Sequence, residues 1–151
     1  MELPQDFADL LAAFAACDVR HLIVGGYAVG VHDRPRTTKD LDILLDPSKE
    51  NLHNACRALD EFGAPAAIVD HLRHAKEDEV IWWGNPPLRI DLLTAIPGIE
   101  FTGAYLRRVE VQFGECVGQV IGLDDLILAK RAAARPQDLV DAERLSMQKL
   151  R

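Results

Sequence analysis

The sequence predicts an α+β fold: a mixed β-sheet with helices packed against it. Three observations predict it. Short runs rich in Leu, Ile and Val stand at 21–24, 40–45, 88–93 and 109–113, each the length of a strand. Around them, over 5–17, 48–62 and 124–150, apolar residues recur at the three- and four-residue spacing of one buried helix face. A chain of 151 residues, 48% hydrophobic and 27% charged, has the size and balance of one globular domain. Neither repeats nor long linkers divide it. We therefore expect one domain over 1–151, with a core over about 18–122 and C-terminal helices over about 124–150.

In chain order, Phe7, Leu10, Leu11, Phe14 and Ala15 give the first helix its buried face, with Asp6 and Asp9 favouring the positive end of its dipole. His21-Leu22-Ile23-Val24 is a buried strand that stops at Gly25-Gly26, and 27–32 reads as a short helix. Residues 33–38 form a polar loop, since Pro35 disfavours helix at Arg34. After the strand 40–45, Pro47 and Ser48 start a helix that ends at Gly63. Residues 64–78 lack a firm period and read as loop, with a strand at Ala67-Ile68-Val69. Residues 79–83 and 88–93 form a hairpin across Asn85-Pro86-Pro87. A helical turn is expected within 99–107, and 109–113 alternates as a strand. Gly114 and Gly118 bracket a turn before a short strand at 119–121. Asp124 or Asp125 caps the next helix, and Pro136 separates it from a last one over 137–150.

Charge and cysteines bound the partners. The balance of 17 basic against 24 acidic residues gives −7, which argues against a broad nucleic-acid-binding face. Cys17, Cys56 and Cys116 are odd in number and without metal-type spacing, so they read as thiols in a reducing compartment. With neither a secretory leader pattern nor an apolar run of spanning length, the expectation is a cytoplasmic protein without a membrane partner.

The chemistry gathers on Arg36-Thr37-Thr38-Lys39-Asp40-Leu41-Asp42-Ile43-Leu44-Leu45. Side chains alternate along a strand, so Asp40 and Asp42 share one face while Leu41 and Ile43 share the other. Two acids there repel each other and resist desolvation, and a divalent cation is the simplest offset. Asp91, in the apolar run 88–93, is a third strand carboxylate. If its strand lies beside 40–45, the three can hold two Mg²⁺ ions about 3.5–4 Å apart, the clamp for in-line phosphoryl displacement. The competing reading pairs Asp91 with Arg89 or a helix residue, and Asp40 with Lys39 or Arg36. Gly25-Gly26, between a strand and a helix, lets backbone N–H groups approach an anion. It is neither a Walker loop nor a dinucleotide fingerprint. His71-x-x-His74 lacks a third metal ligand at a useful spacing. Trp82 and Trp83 point to opposite faces, so at most one of them can stack on a base.

Taken together, Gly25-Gly26-Tyr27-Ala28, Arg36-x-Thr38-x-Asp40-x-Asp42 and Asp91 resemble the nucleotidyltransferase superfamily related to DNA polymerase β. Within it they look most like small bacterial nucleotidyltransferase-like proteins that include abortive-infection toxins. The resemblance covers about 22–93, and Lys130 to Asp141 is similar to that group's C-terminal helices. It implies that Gly25 and Gly26 cradle phosphates, and that Asp40, Asp42 and Asp91 hold two Mg²⁺, with Mn²⁺ as the substitute. Arg36 and Thr38 would orient the loop or the triphosphate, and Lys130 would reach a phosphate or else stand solvated. The family's commoner turn is Gly-Ser, so Gly26 removes a hydroxyl. The implied activity is NMP transfer from an NTP, ATP foremost, to a hydroxyl of RNA, protein or a small molecule. The rival expectations are a nucleotide- or partner-binding module, such as half of a toxin–antitoxin pair, and a metal-dependent nuclease using the same acids.

Overall fold

Strands β1 (His21–Val24) and β2 (Asp40–Leu45) pair antiparallel in the middle of a six-stranded mixed sheet. The structure, a computed structural model, describes residues 2–76 and 78–150. The remaining strands are β3 (Val80–Trp83), β4 (Arg89–Leu93), β5 (Val109–Phe113) and β6 (Cys116–Val120), in the spatial order β3-β4-β2-β1-β6-β5. β4 runs parallel to β2 and antiparallel to β3, while β6 runs parallel to β1 and antiparallel to β5. The expected α+β class is what forms.

Two groups of helices cover the sheet. α1 (Gln5–Ala16), α3 (Lys49–Phe62) and α4 (Ala66–Arg73) pack together, and α2 (Gly25–His32), α6 (Leu123–Ala133) and α7 (Pro136–Gln148) form a second group. α5 (Phe101–Leu106) leads into the β5–β6 hairpin. Leu41 and Ile43 of β2 join Phe7, Leu10, Phe14 and Leu59 in the buried core. One face of β2 is thus bound to the core, and its other face is free to carry acids.

The local differences from expectation have plain causes. Residues 66–73 are helical rather than loop or strand, because Val69 and Leu72 bury at helical spacing and Pro65 starts the turn. β6 begins at Cys116, three residues before the expected strand. Gly118 lies inside that strand, where a Cβ would overlap the Phe113 ring and Ile23, so this glycine serves close packing and not a turn. Gly122, not Asp124 or Asp125, stands at the N-cap of α6. Asp125 is buried and accepts two hydrogen bonds from Arg107, at 2.9 and 3.0 Å. Pro136 opens α7, where its missing N–H has no helical partner to lose. Ser48 does cap α3, and Gly63 ends it in the left-handed conformation. Cys17 and Cys56 are buried free thiols, and Cys116 is half-buried.

Ion pairs fasten α7 across the loop that precedes β2. Asp33 accepts from Arg144 at 3.1 Å and from Gln148 at 2.8 Å, and Arg36 reaches Asp141 at 3.1 Å. Among the described residues, no helix is long and apolar enough to cross a membrane.

His21 opens β1 fully enclosed, with Nδ1 3.1 Å from the Val19 carbonyl and its ring 5.2 Å from that of Phe14. Nε2 has no partner. Burial, opposed by the Val19 carbonyl and aided by the charge of Arg108, pushes its pKa down to about 4. The unfolded imidazole binds its proton more readily, so this residue's contribution is complete above about pH 6.5 and is lost as pH falls towards 4. His21→Leu should flatten that fall. Urea unfolding at about pH 7.5 and pH 5 will show a smaller stability difference in the variant than in the parent chain.

Candidate functional site

Parallel register puts Asp42 opposite Asp91 and Asp40 opposite Arg89 on neighbouring strands. Cross-strand partners share a face, so all four side chains project from the same side of the sheet. β1 ends beside them. Val24 pairs with Asp42, and the chain turns at Gly25 with φ of 66° to begin α2. A Cβ at Gly25 would overlap the Asp42 carboxylate. At Gly26 a Cβ would come within 3.1 Å of Thr38 Oγ1. Gly25 is therefore required by contact and Gly26 is closely fitted: the first turn of α2 lies against the acid and the loop hydroxyl. Thr38 in turn exchanges hydrogen bonds with the backbone of Asp40, at 3.2 and 3.4 Å, which steadies the entry to β2.

A cleft of about 630 Å³ opens over this face. Its floor includes Gly25, Asp40, Asp42, Arg89 and Asp91, and its opposite wall includes Lys130 and Arg135 from the α6–α7 junction. Lys130 is mostly buried and lies 3.3 Å from both Asp138 and Asp141, which corrects the picture of a solvated helix lysine. Arg135 clamps Asp138 at 2.6 Å. Asp138 is held below the usual carboxylate range, first by the Arg135 hydrogen bond and then by Lys130. Burial works against ionisation of Asp141, but hydrogen bonds from Arg36 and Gln137 and the charge of Lys130 outweigh it, and its pKa is lowered.

The acids themselves are unevenly balanced. Arg89 reaches Asp91 with Nε at 2.9 Å and Asp40 with a terminal nitrogen at 3.4 Å. Of the ion pairs weighed from sequence, Asp91–Arg89 forms, whereas Asp40 pairs with Arg89 and not with Lys39 or Arg36. Asp91 Oδ2 accepts from Arg89 at 3.1 Å, whereas Oδ1 is buried and has no aligned hydrogen bond among the described residues despite the nearby guanidinium. Burial, then the neighbouring carboxylates of Asp91 and Asp40, push Asp42 up to about 7. Arg89 lowers it only in part.

The structure thus brings Gly25, Asp40, Asp42, Asp91 and Lys130 around one cleft, with Gly26 and Thr38 packed just behind it. Arg36 is not among them, because its guanidinium is committed to Asp141. Sequence reasoning passed over Arg135, and considered Arg89 only as a partner for Asp91. The signal for Arg89 was its i,i+2 spacing from Asp91, which fixes both on one strand face. Nothing local marks Arg135, whose place depends on how α7 docks. His71 pairs with Glu79 at 3.0 Å and His74 with the Asp70 carbonyl at 3.0 Å, so this exposed pair is tied up separately. Trp83 packs edge-on against Phe62, while Trp82 is exposed.

Among the described residues, no group of three or more His, Cys, Asp or Glu side chains is arranged to hold a metal as it stands. The donor chemistry nonetheless fits a hard divalent cation. The three acids offer only oxygen, one buried carboxylate oxygen has no aligned hydrogen bond among the described residues, and burial with two neighbouring carboxylates holds the Asp42 proton up to about pH 7. No known family profile matches the chain, and no curated protein matches it significantly.

Two expected outcomes follow from this geometry. Gly25→Ala forces a side chain into a left-handed backbone and onto Asp42, so it should cost more than about 1 kcal/mol in urea unfolding. The folded pKa of Asp42 lies above its unfolded value of 3.8, so its stabilising effect is complete below that value and disappears as pH rises through about 7. Mg²⁺ should therefore raise the melting temperature more at about pH 8 than at about pH 5, where protons compete for the same oxygens. Asp42→Asn should remove that pH-dependent gain in differential scanning fluorimetry.

Proposed function

We propose that the cleft is the active site of a nucleotidyltransferase, moving a nucleoside monophosphate from an NTP to an acceptor hydroxyl and releasing pyrophosphate. The observation that carries this reading is the register of Asp42 against Asp91, with Asp40 on the same face and Gly25 in contact with Asp42. In this reading the acceptor oxygen attacks the α-phosphorus as the bond to the α–β bridging oxygen breaks, and pyrophosphate carries away that electron pair. Bound divalent cations of the Mg²⁺ class would neutralise charge on the transferring and leaving oxygens. Asp40, Asp42 and Asp91 are the residues that would hold them.

The chain's other groups have separate tasks. The first turn of α2, which begins at Gly25-Gly26, presents backbone N–H groups and the positive end of a helix dipole to the triphosphate. Lys130 and Arg135 face the acids across the cleft and would draw the polyphosphate inward. Asp91, on the strand farther from α2, would help to take the acceptor's proton, a role its distance from the glycine turn supports. Thr38 and Arg36 act as positioning residues. Thr38 braces the backbone of Asp40, and Arg36 anchors the loop to Asp141. The whole is preorganised positioning and electrostatics, the part of phosphoryl transfer that a protein supplies.

One observation favours a second reading, a nucleotide- or partner-binding module with little catalysis. Arg89 already bridges Asp40 and Asp91, so the acids have a counter-charge without any cation. Calorimetry with ATP and Mg²⁺ separates the two, because binding that leaves the acids unused will not depend on the cation.

The decisive test is transfer from each of the four labelled NTPs to RNA, protein and small-molecule pools. Asp42→Ala should lower the transfer rate by about 100-fold or more, the scale of losing a preorganised transition-state charge contact, with an unchanged circular dichroism spectrum. Full activity in that variant overturns the assignment.

A further inference from the structure

β3 is an edge strand, and it shows two unlike faces. Ile81 is buried in the core and Trp83 is half-buried beneath Phe62, whereas Val80 and Trp82 are turned outward, 49% and 61% exposed. Exposed aromatic area of this size is unusual for a strand side chain with an interior available on its other face. Its place is specific. Trp82 pairs directly with Asp91, so the indole projects from the same face as the three acids, and Val80 lines the same cleft. The Arg89 guanidinium lies over the ring, 5.6 Å from its centroid, yet most of the indole stays open to solvent.

From this juxtaposition we propose that Trp82 is the stacking platform for the base of a nucleotide acceptor, so that the acceptor belongs to the nucleic-acid 3′-end or nucleotide class. The assignment to the acceptor, as opposed to the NTP, rests on the nucleotidyltransferase reading and on strand order. Gly25-Gly26, where the triphosphate would sit, follows β1, and Trp82 lies on β3 at the far side of β2 and β4. With neighbouring strands about 4.8 Å apart, the indole is one strand from Asp91 and three from the glycine turn. A nucleoside suits that spacing, since its base and its reacting ribose hydroxyl are separate groups. A tyrosine acceptor would carry its hydroxyl on the stacking ring itself. Arg89 beside the indole supplies a cation for the acceptor's phosphate within an otherwise acidic chain. Stacking on an aromatic face tolerates any base, so the platform selects a nucleotide without selecting a sequence.

The test uses the full chain without NTP or divalent cation, and follows binding by ligand-observed NMR. AMP, ribose 5-phosphate and N-acetyltyrosinamide are the probes. AMP should bind, and ribose 5-phosphate should bind far more weakly. Trp82→Ala should weaken AMP roughly 5–150-fold, the range expected for losing one base–aromatic stack, while Trp82→Phe stays close to the parent. Both variants should keep the parent melting temperature, because the ring is exposed. Equal AMP affinity in Trp82→Ala, equal affinity for ribose 5-phosphate, or a preference for N-acetyltyrosinamide overturns the proposal. A negative transfer assay with Trp82-dependent AMP binding supports the base subsite and overturns the transferase reading. Active transfer with an acceptor KM unchanged by Trp82→Ala does the reverse.

Discussion

Asp42 and Asp91 face each other across two parallel strands, and the architecture around them is arranged to make that repulsion tolerable. Burial makes the problem worse, since each charge loses water. The molecule answers in three ways at once. Arg89 places one guanidinium between Asp91 and Asp40, Asp42 keeps a proton up to about neutral pH, and Arg135 brings positive charge from the end of α6. Gly25 is glycine because the Asp42 carboxylate fills the space where a side chain would stand. A like-charge pair this close to the core has little value as a stabiliser.

The same strand serves two environments. Leu41 and Ile43 are completely buried on one side of β2, and the acids stand in the cleft on the other. Side-chain alternation makes this possible without loops, and it gives the acids a backbone as well held as any in the protein. Opposite them, the α6–α7 junction is held by a closed set of ion pairs among Lys130, Arg135, Asp138, Asp141 and Arg36. Acidic floor and basic wall are therefore each fixed by their own element, with the cleft between them.

Much of this was legible in the chain itself. The shared face of Asp40 and Asp42 follows from period-two alternation, and the tight turn at Gly25-Gly26 from a strand ending in two glycines. Adjacency of β2 and β4 was only a condition in the sequence, because parallel pairing joins residues far apart in the chain. Arg36 looked like a site residue from its place before the acids, but buried Asp141 on α7 claims it, and no local pattern encodes that contact. The helix at 66–73 is not legible in the sequence, because its short apolar set fits a strand as well as a helix. Gly118 resembles a turn residue in the sequence, because composition does not distinguish a glycine that bends from one that lets a phenyl ring come close.

The fastening of Asp33 by Arg144 and Gln148, over separations of 111 and 115 residues, has a consequence for biosynthesis. On a ribosome the strands that carry the acids emerge well before α7 does. During that interval the segment leading into β2 lacks its anchors, and the cleft lacks the wall bearing Lys130 and Arg135. The nascent chain can assemble its core around Leu41 and Ile43 while its polar face is still half built. The loop before β2 and the second wall of the cleft are thus completed only once α7 has been translated, so this face of the sheet is finished after the core.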